Sequence, residues 1–235
     1  MGTFPITIND QQVNVESGQT ILEACQKNNI DLPNMCYLKG VLSVGACRLC
    51  LVEMEGVPRL LPGCTTPVAP NQKIRTDSEK LRKYRRMTIE LFFSERNHVC
   101  SVCVANNNCE LQDMAYSVEM EHVRFPYLFP DCPVDASHKK FVIDHNRCIL
   151  CTRCARACSQ IEGAHTWDVM DRGIKSRMIT DFNQPWSESV TCTSCGKCVQ
   201  VCPTGAIWPK EASIGNLTKT PQLIADLVER RRARK

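Results

Sequence analysis

Apolar and polar positions alternate between residues 3 and 15, with Phe4, Ile6 and Ile8 before Asn9-Asp10 and Val13 and Val15 after it. A period of two around such a pair predicts a β-hairpin with one buried face. The period then lengthens. Thr20 and Glu23 stand in capping-box relation, and Ile21, Leu22, Ala24 and Cys25 give a helical apolar face that Asn28-Asn29 ends. Cys25 is expected there as a small core residue. A second such pair, Thr76 and Glu79, opens a predicted helix through SEKLRKYRRMTIELFFSE, with Leu81, Tyr84, Thr88 and Leu91 on one face and a solvated row of Lys and Arg opposite. The three prolines of RFPYLFPDCPVD, Arg124 to Asp135, predict an extended connector in which Cys132 has no partner spacing. At the far end Thr220-Pro221 marks a helix start, and Leu223, Ile224, Leu227 and Val228 form a stripe before ERRRARK. Those cations either offset the helix dipole or belong to a helix that docks on a neighbouring subunit.

Cysteine usage changes this picture, because 17 of 235 residues are cysteine. Two runs, Cys148 to Cys158 and Cys192 to Pro203, share the spacing C-x2-C-x2-C-x3-C. With that spacing three cysteines on one loop hold one [4Fe-4S] cluster, and the fourth reaches across to the other. The expected sets are therefore crossed: Cys148, Cys151, Cys154 and Cys202 for one cluster, and Cys192, Cys195, Cys198 and Cys158 for the second. Zinc asks for paired knuckles and four ligands, not two triplet-plus-one runs.

Two further groups precede these. Cys36, Cys47, Cys50 and Cys64 combine a long loop, a C-x2-C knuckle and a distant fourth thiolate, which suits a [2Fe-2S] rhomb. The first spacing of ten residues is longer than in plant-type ferredoxins, and a four-cysteine zinc site is the alternative. Gly40 and Gly45 would let the backbone approach inorganic sulfide. HVCSVCVANNNC places His98, Cys100, Cys103 and Cys109 together, a set that fits either zinc or a [4Fe-4S] cluster with one nitrogen ligand. Its position between other cluster modules favours the cluster.

The formal charge of +4 counts every ligand thiol as neutral; with one [2Fe-2S] and three [4Fe-4S] clusters the total comes to about −3. A nucleic-acid partner has no support. No apolar run approaches the ~18 residues of a membrane helix, and MGTFPITIND has neither a basic start nor an apolar signal core, so a reducing cytoplasmic setting is expected. No G-x-G-x-x-G, P-loop, or nucleophile and base pair appears. The chain has the inventory of a wire, without a catalytic residue of its own.

The order of these modules, with the segments NHVCSVCVANNNCELQDM, HNRCILCTRC, IEGAHTWDV and CTSCGKC, resembles the diaphorase gamma subunits of bidirectional NiFe hydrogenases of the cyanobacterial type. It resembles more distantly the N-terminal part of the complex I large iron-sulfur subunit and of iron-only hydrogenases. The resemblance, over residues 1 to about 210, implies an α+β chain. Residues 1–78 would be a β-grasp [2Fe-2S] ferredoxin domain, 79–123 a small helical histidine-ligated [4Fe-4S] domain, 124–137 a connector and 138–210 a bacterial-type tandem [4Fe-4S] ferredoxin domain. Residues 211–235 would form a basic amphipathic helix. The ligating histidine of complex I stands four residues before its first cysteine, whereas His98 stands two before Cys100. The resemblance also implies a hetero-oligomer: a flavoprotein diaphorase with FMN and the NAD(P)H site on one side, and the small and large subunits of a NiFe hydrogenase on the other. A relay in an NAD-dependent formate dehydrogenase or an electron-bifurcating complex, a stand-alone electron carrier, and a structural zinc scaffold are the alternatives.

Overall fold

Thr3–Ile8 (β1) and Gln11–Glu16 (β2) pair antiparallel across Asn9 and Asp10, whose φ values of 51° and 65° are those of a type I′ turn. That turn matches the right-handed twist of the strands and leaves Ile6, Ile8 and Val15 buried on one face. The helix α1 (Ile21–Lys27) follows with the full capping box, Thr20 and Glu23 each bonding the other's backbone N–H. Its Ile21, Leu22, Ala24 and Cys25 pack against the hairpin, and Cys25 is a wholly buried core thiol whose pKa burial pushes up to about 12. Leu51–Met54 (β3), Val57–Pro62 (β4) and Lys73–Arg75 (β5) complete a sheet of order β2-β1-β5-β3-β4, in which only the β1 and β5 pair is parallel. A hairpin, a helix against it and a parallel return strand give the β-grasp architecture.

The computed structural model describes residues 2–222, 224 and 226. These form two units: 2–37 with 43–89, and 38–42 with the described residues from 90 onward.

Helix α2 (Glu79–Glu95) departs from the sequence reading in two ways. Its cap is Ser78, whose Oγ accepts from the Leu81 N–H at 3.2 Å. Thr76 is already engaged, since Asn9 donates to its hydroxyl at 2.7 Å and accepts from its N–H at 2.8 Å. The inward row is Leu81, Arg85 and Ile89, while Tyr84 and Leu91 are 40% and 44% exposed. Arg85 takes a core position because three carbonyls receive its guanidinium: Leu49 at 3.0 Å, Leu51 at 3.1 Å and Thr76 at 2.6 Å. They satisfy a guanidinium only 5% exposed, whose N–H groups would otherwise be buried without partners.

The second unit is mixed and built from short elements. Glu110–Ser117 (α3) follows the histidine-containing run. Val134–Asp135 (β6) and Phe141–Asp144 (β7) lead to Arg153–Arg156 (α4), which continues as a π-helical turn, Ala157–Glu162, and stops at Gly163 in the left-handed region (φ 82°). Trp167–Met170 (β8) and Arg177–Thr180 (β9) make a hairpin, and Lys197–Val201 (α5) and Ile207–Pro209 (β10) follow. Strand β7 is the centre of an antiparallel sheet of order β10-β7-β6. The proline-rich connector is extended but tethered: Arg124 pairs with buried Glu90 at 2.9 Å, and Asn97 donates to Pro130 O at 2.9 Å.

Among the described residues no helix is long and apolar enough to cross a membrane. Pro221, Gln222, Ile224 and Asp226 are helical, and Ile224 packs with Leu38, Ala157, Ile161 and Val201. Leu223, Leu227, Val228 and the basic end of that stripe lie outside the described residues.

Candidate metal centres

In the first unit the loop after α1 brings Cys36 to Cys47, Cys50 and Cys64, all four buried. Cys47 and Cys64 hydrogen-bond to the Cys36 sulfur and lower its pKa, while Cys64 also pairs with Cys50. Sharing raises Cys47 and Cys64 correspondingly. The Met35 N–H adds a hydrogen bond to Cys47 Sγ at 3.4 Å. Gly40 and Gly45 both take positive φ, 91° and 61°, and Arg48 inside the C-x2-C knuckle is left-handed at 57°.

In the second unit His98, Cys100, Cys103 and Cys109 line one pocket of about 290 Å3, together with Phe93, Leu111, Arg147 and Gly205. His98 Nε2 is buried without a hydrogen-bond partner. Burial, with Arg147 nearby, lowers the imidazole to about 4, so at neutral pH it is uncharged. Gly205 is a cradle for the same pocket, since a Cβ there would stand 2.4 Å from Cys103 Sγ.

The two long runs exchange cysteines. Cys148, Cys151 and Cys154 share a pocket of about 340 Å3 with Cys202, and Cys192, Cys195 and Cys198 share one of about 320 Å3 with Cys158. Both loops use the same backbone: the second and fourth residues after the first cysteine are left-handed, Leu150 and Thr152 (53° and 58°) in one, Ser194 and Gly196 (56° and 72°) in the other. Three of these four are not glycine, so the loops carry strain that concentrates at functional sites. Such winding turns successive N–H groups toward one anionic centre.

Burial raises Cys148 to about 12 and Cys151 to about 11, and raises Cys154 and Cys198 as well. Thiols so placed resist ionising without a cation, and a metal would displace their protons. Among the described residues no three His, Cys, Asp or Glu side chains converge on a point fit for a single metal ion.

Several residues with a role in these pockets carry no cysteine signal. Gly205, Thr204 and Arg147 line the histidine pocket, Thr204 lines the neighbouring one too, and Trp167 and Trp186 line the third. Only Gly205 had a cue, its place just after Cys202-Pro203-Thr204. Cys132 lines none of these three pockets and receives an Arg96 N–H at 3.2 Å.

Three family descriptions match in succession: a 2Fe-2S iron-sulfur cluster binding domain over residues 3–79, the NADH-ubiquinone oxidoreductase-G iron-sulfur binding region over 85–124, and the ferredoxin-like domain of NADH-quinone oxidoreductase subunit 3 over 140–208. Fold and pockets thus define an iron-sulfur protein of the NADH-oxidoreductase type. The HndD subunit of the NADP-reducing hydrogenase of Solidesulfovibrio fructosivorans is 34% identical over 88% of this chain but only 36% of its own length. The chain spans about a quarter to a third of the first curated relatives it matches. The gamma chain of the NAD-reducing hydrogenase HoxS of Cupriavidus necator is 30% identical over 88% of both chains. A chain of the crystal structure of an NAD+-reducing NiFe hydrogenase in the H2-reduced state superposes with a TM-score of 0.84 at 33% identity, covering 89% of this chain and 88% of that one. The chain belongs to the family of NAD-reducing hydrogenase gamma subunits.

Proposed function

We propose that this chain relays electrons, one at a time, between a flavoprotein diaphorase subunit that carries FMN and the NAD(P)H site and the small and large subunits of a NiFe hydrogenase. Cys36, Cys47, Cys50 and Cys64 would hold one [2Fe-2S] cluster. Three [4Fe-4S] clusters would be held by His98, Cys100, Cys103 and Cys109; by Cys148, Cys151, Cys154 and Cys202; and by Cys158, Cys192, Cys195 and Cys198. When bound, the clusters supply reversible one-electron oxidation and reduction. The protein's share is to space them, dry them and set their potentials through ligand type and hydrogen bonds to sulfur.

The observation that carries the reading is the grouping of sixteen donors into four sets of four, with Cys158 and Cys202 exchanged between loops. Buried Thr204 forms part of the wall of both the histidine pocket and the Cys148 pocket, so one residue separates two steps of the path. A set this rich in thiolate belongs in a reducing compartment, and we place the complex in the cytoplasm.

Anaerobically prepared protein is expected to contain about 14 irons per chain. Stoichiometric zinc in its place would overturn the assignment.

A further inference from the structure

We infer that the indole of Trp186 raises the potential of the cluster held by Cys158, Cys192, Cys195 and Cys198, by donating its N–H to the Cys192 sulfur. The inference rests on the relay reading and deepens it. Trp186 is 1% exposed, and its Nε1 lies 3.3 Å from Cys192 Sγ. A buried indole N–H needs an acceptor, and a neutral thiol is a poor one. A metal-bound thiolate is anionic and accepts far better, so the bond reaches full strength only in the loaded site.

The ring is fixed from several sides. Its own backbone N–H binds Asp135 Oδ2 at 2.7 Å, and the Ser187 N–H binds Ser137 Oγ at 2.9 Å. Trp167 meets it edge-on with centroids 4.8 Å apart, His138 lies at 4.6 Å and Phe141 at 5.7 Å. Trp167 lines the same pocket, and the Thr166 N–H reaches Cys158 Sγ at 3.4 Å. Cys192 and Cys158 therefore each receive an N–H, while Cys195 is exposed to solvent.

The sign follows from charge. Reduction adds one negative charge to the cluster, and an N–H aimed at a ligand sulfur stabilises the more negative state more than the oxidised one. Replacing the indole with a smaller ring that lacks the donor removes that preference.

The experiment is a redox titration of the reconstituted full chain followed by electron paramagnetic resonance, comparing the unaltered protein with Trp186→Phe. One [4Fe-4S] signal should move to a more negative midpoint with its intensity retained, while the other signals hold. An intact signal with an unchanged midpoint overturns the inference alone. A missing [4Fe-4S] signal in the unaltered protein overturns the cluster assignment and the inference together. If Trp186→Phe loses the cluster, Trp167→Phe labelled with indole-15N tryptophan decides. Trp186 is then the only indole lining the pocket, and a nitrogen coupling to the reduced cluster is expected. Its absence overturns the proposal.

Discussion

At the scale of single residues, a buried polar atom with nothing to bind costs about 1–3 kcal/mol, and His98 Nε2 bears that cost inside a pocket walled by three cysteines. The cost is removed if the nitrogen binds iron. A neutral imidazole leaves the cluster less negative than a fourth thiolate would, so its potential should be higher. His98→Cys is expected to keep the cluster at a lower midpoint, and His98→Ala to make it labile. If the midpoint and intensity of every signal survive both changes, His98 is not a ligand. Gly205 offers a second test, because the Cβ of Gly205→Ala would overlap Cys103 Sγ and have to push that sulfur aside. Loss of about four irons per chain, with the other clusters retained, is the expected outcome by metal analysis.

At the scale of elements, the π-helical turn Ala157–Glu162 matters most. It carries Cys158, four residues beyond Cys154, past its own loop's pocket and into that of the other run. A π-turn widens a helix by one residue and commonly marks a functional position. If the crossed sets hold, Cys158→Ala should damage the cluster proposed for Cys192, Cys195 and Cys198, whose pocket it shares, and spare the one nearer in sequence. Spectra in which the Cys148 to Cys154 site disappears instead would mean that the runs act as separate modules. Helix α2 makes the corresponding argument for the [2Fe-2S] unit. Arg85→Ala would strip the Leu49, Leu51 and Thr76 carbonyls of their donor. A loss of about 2–4 kcal/mol is expected from several broken charge-assisted bonds, read as a lower denaturant midpoint together with early bleaching of the [2Fe-2S] absorption.

At the scale of the whole molecule, acid should be a hazard even apart from the loss of thiolate ligands. Burial, with Arg177 close by, lowers His145 to about 4 from an ordinary 6.5, so folding favours its neutral form. That contribution is fully present above pH 6.5 and is lost as pH falls from 6.5 to 4, by on the order of 3 kcal/mol. His145→Gln should lose less stability than the unaltered chain between pH 7 and pH 4.5, measured by denaturant unfolding; equal losses would contradict the assignment. The hairpin, the Thr20 and Glu23 cap and the spacing of the cysteine runs were legible from the sequence because each rests on local rules: a period of two, a three-residue reach and a loop length. The Ser78 cap and the inward Arg85 were not, since they depend on what Asn9 does to Thr76 and on which carbonyls lie unpaired nearby. The sequence by itself determined the kind of chemistry, because cluster ligation demands thiolates at short fixed intervals. Only the tertiary structure decided which residues surround those thiolates. The Trp186 indole, the bare Cα of Gly205 and the wall shared through Thr204 come from distant parts of the chain, and packing leaves no period or spacing by which they could be found beforehand.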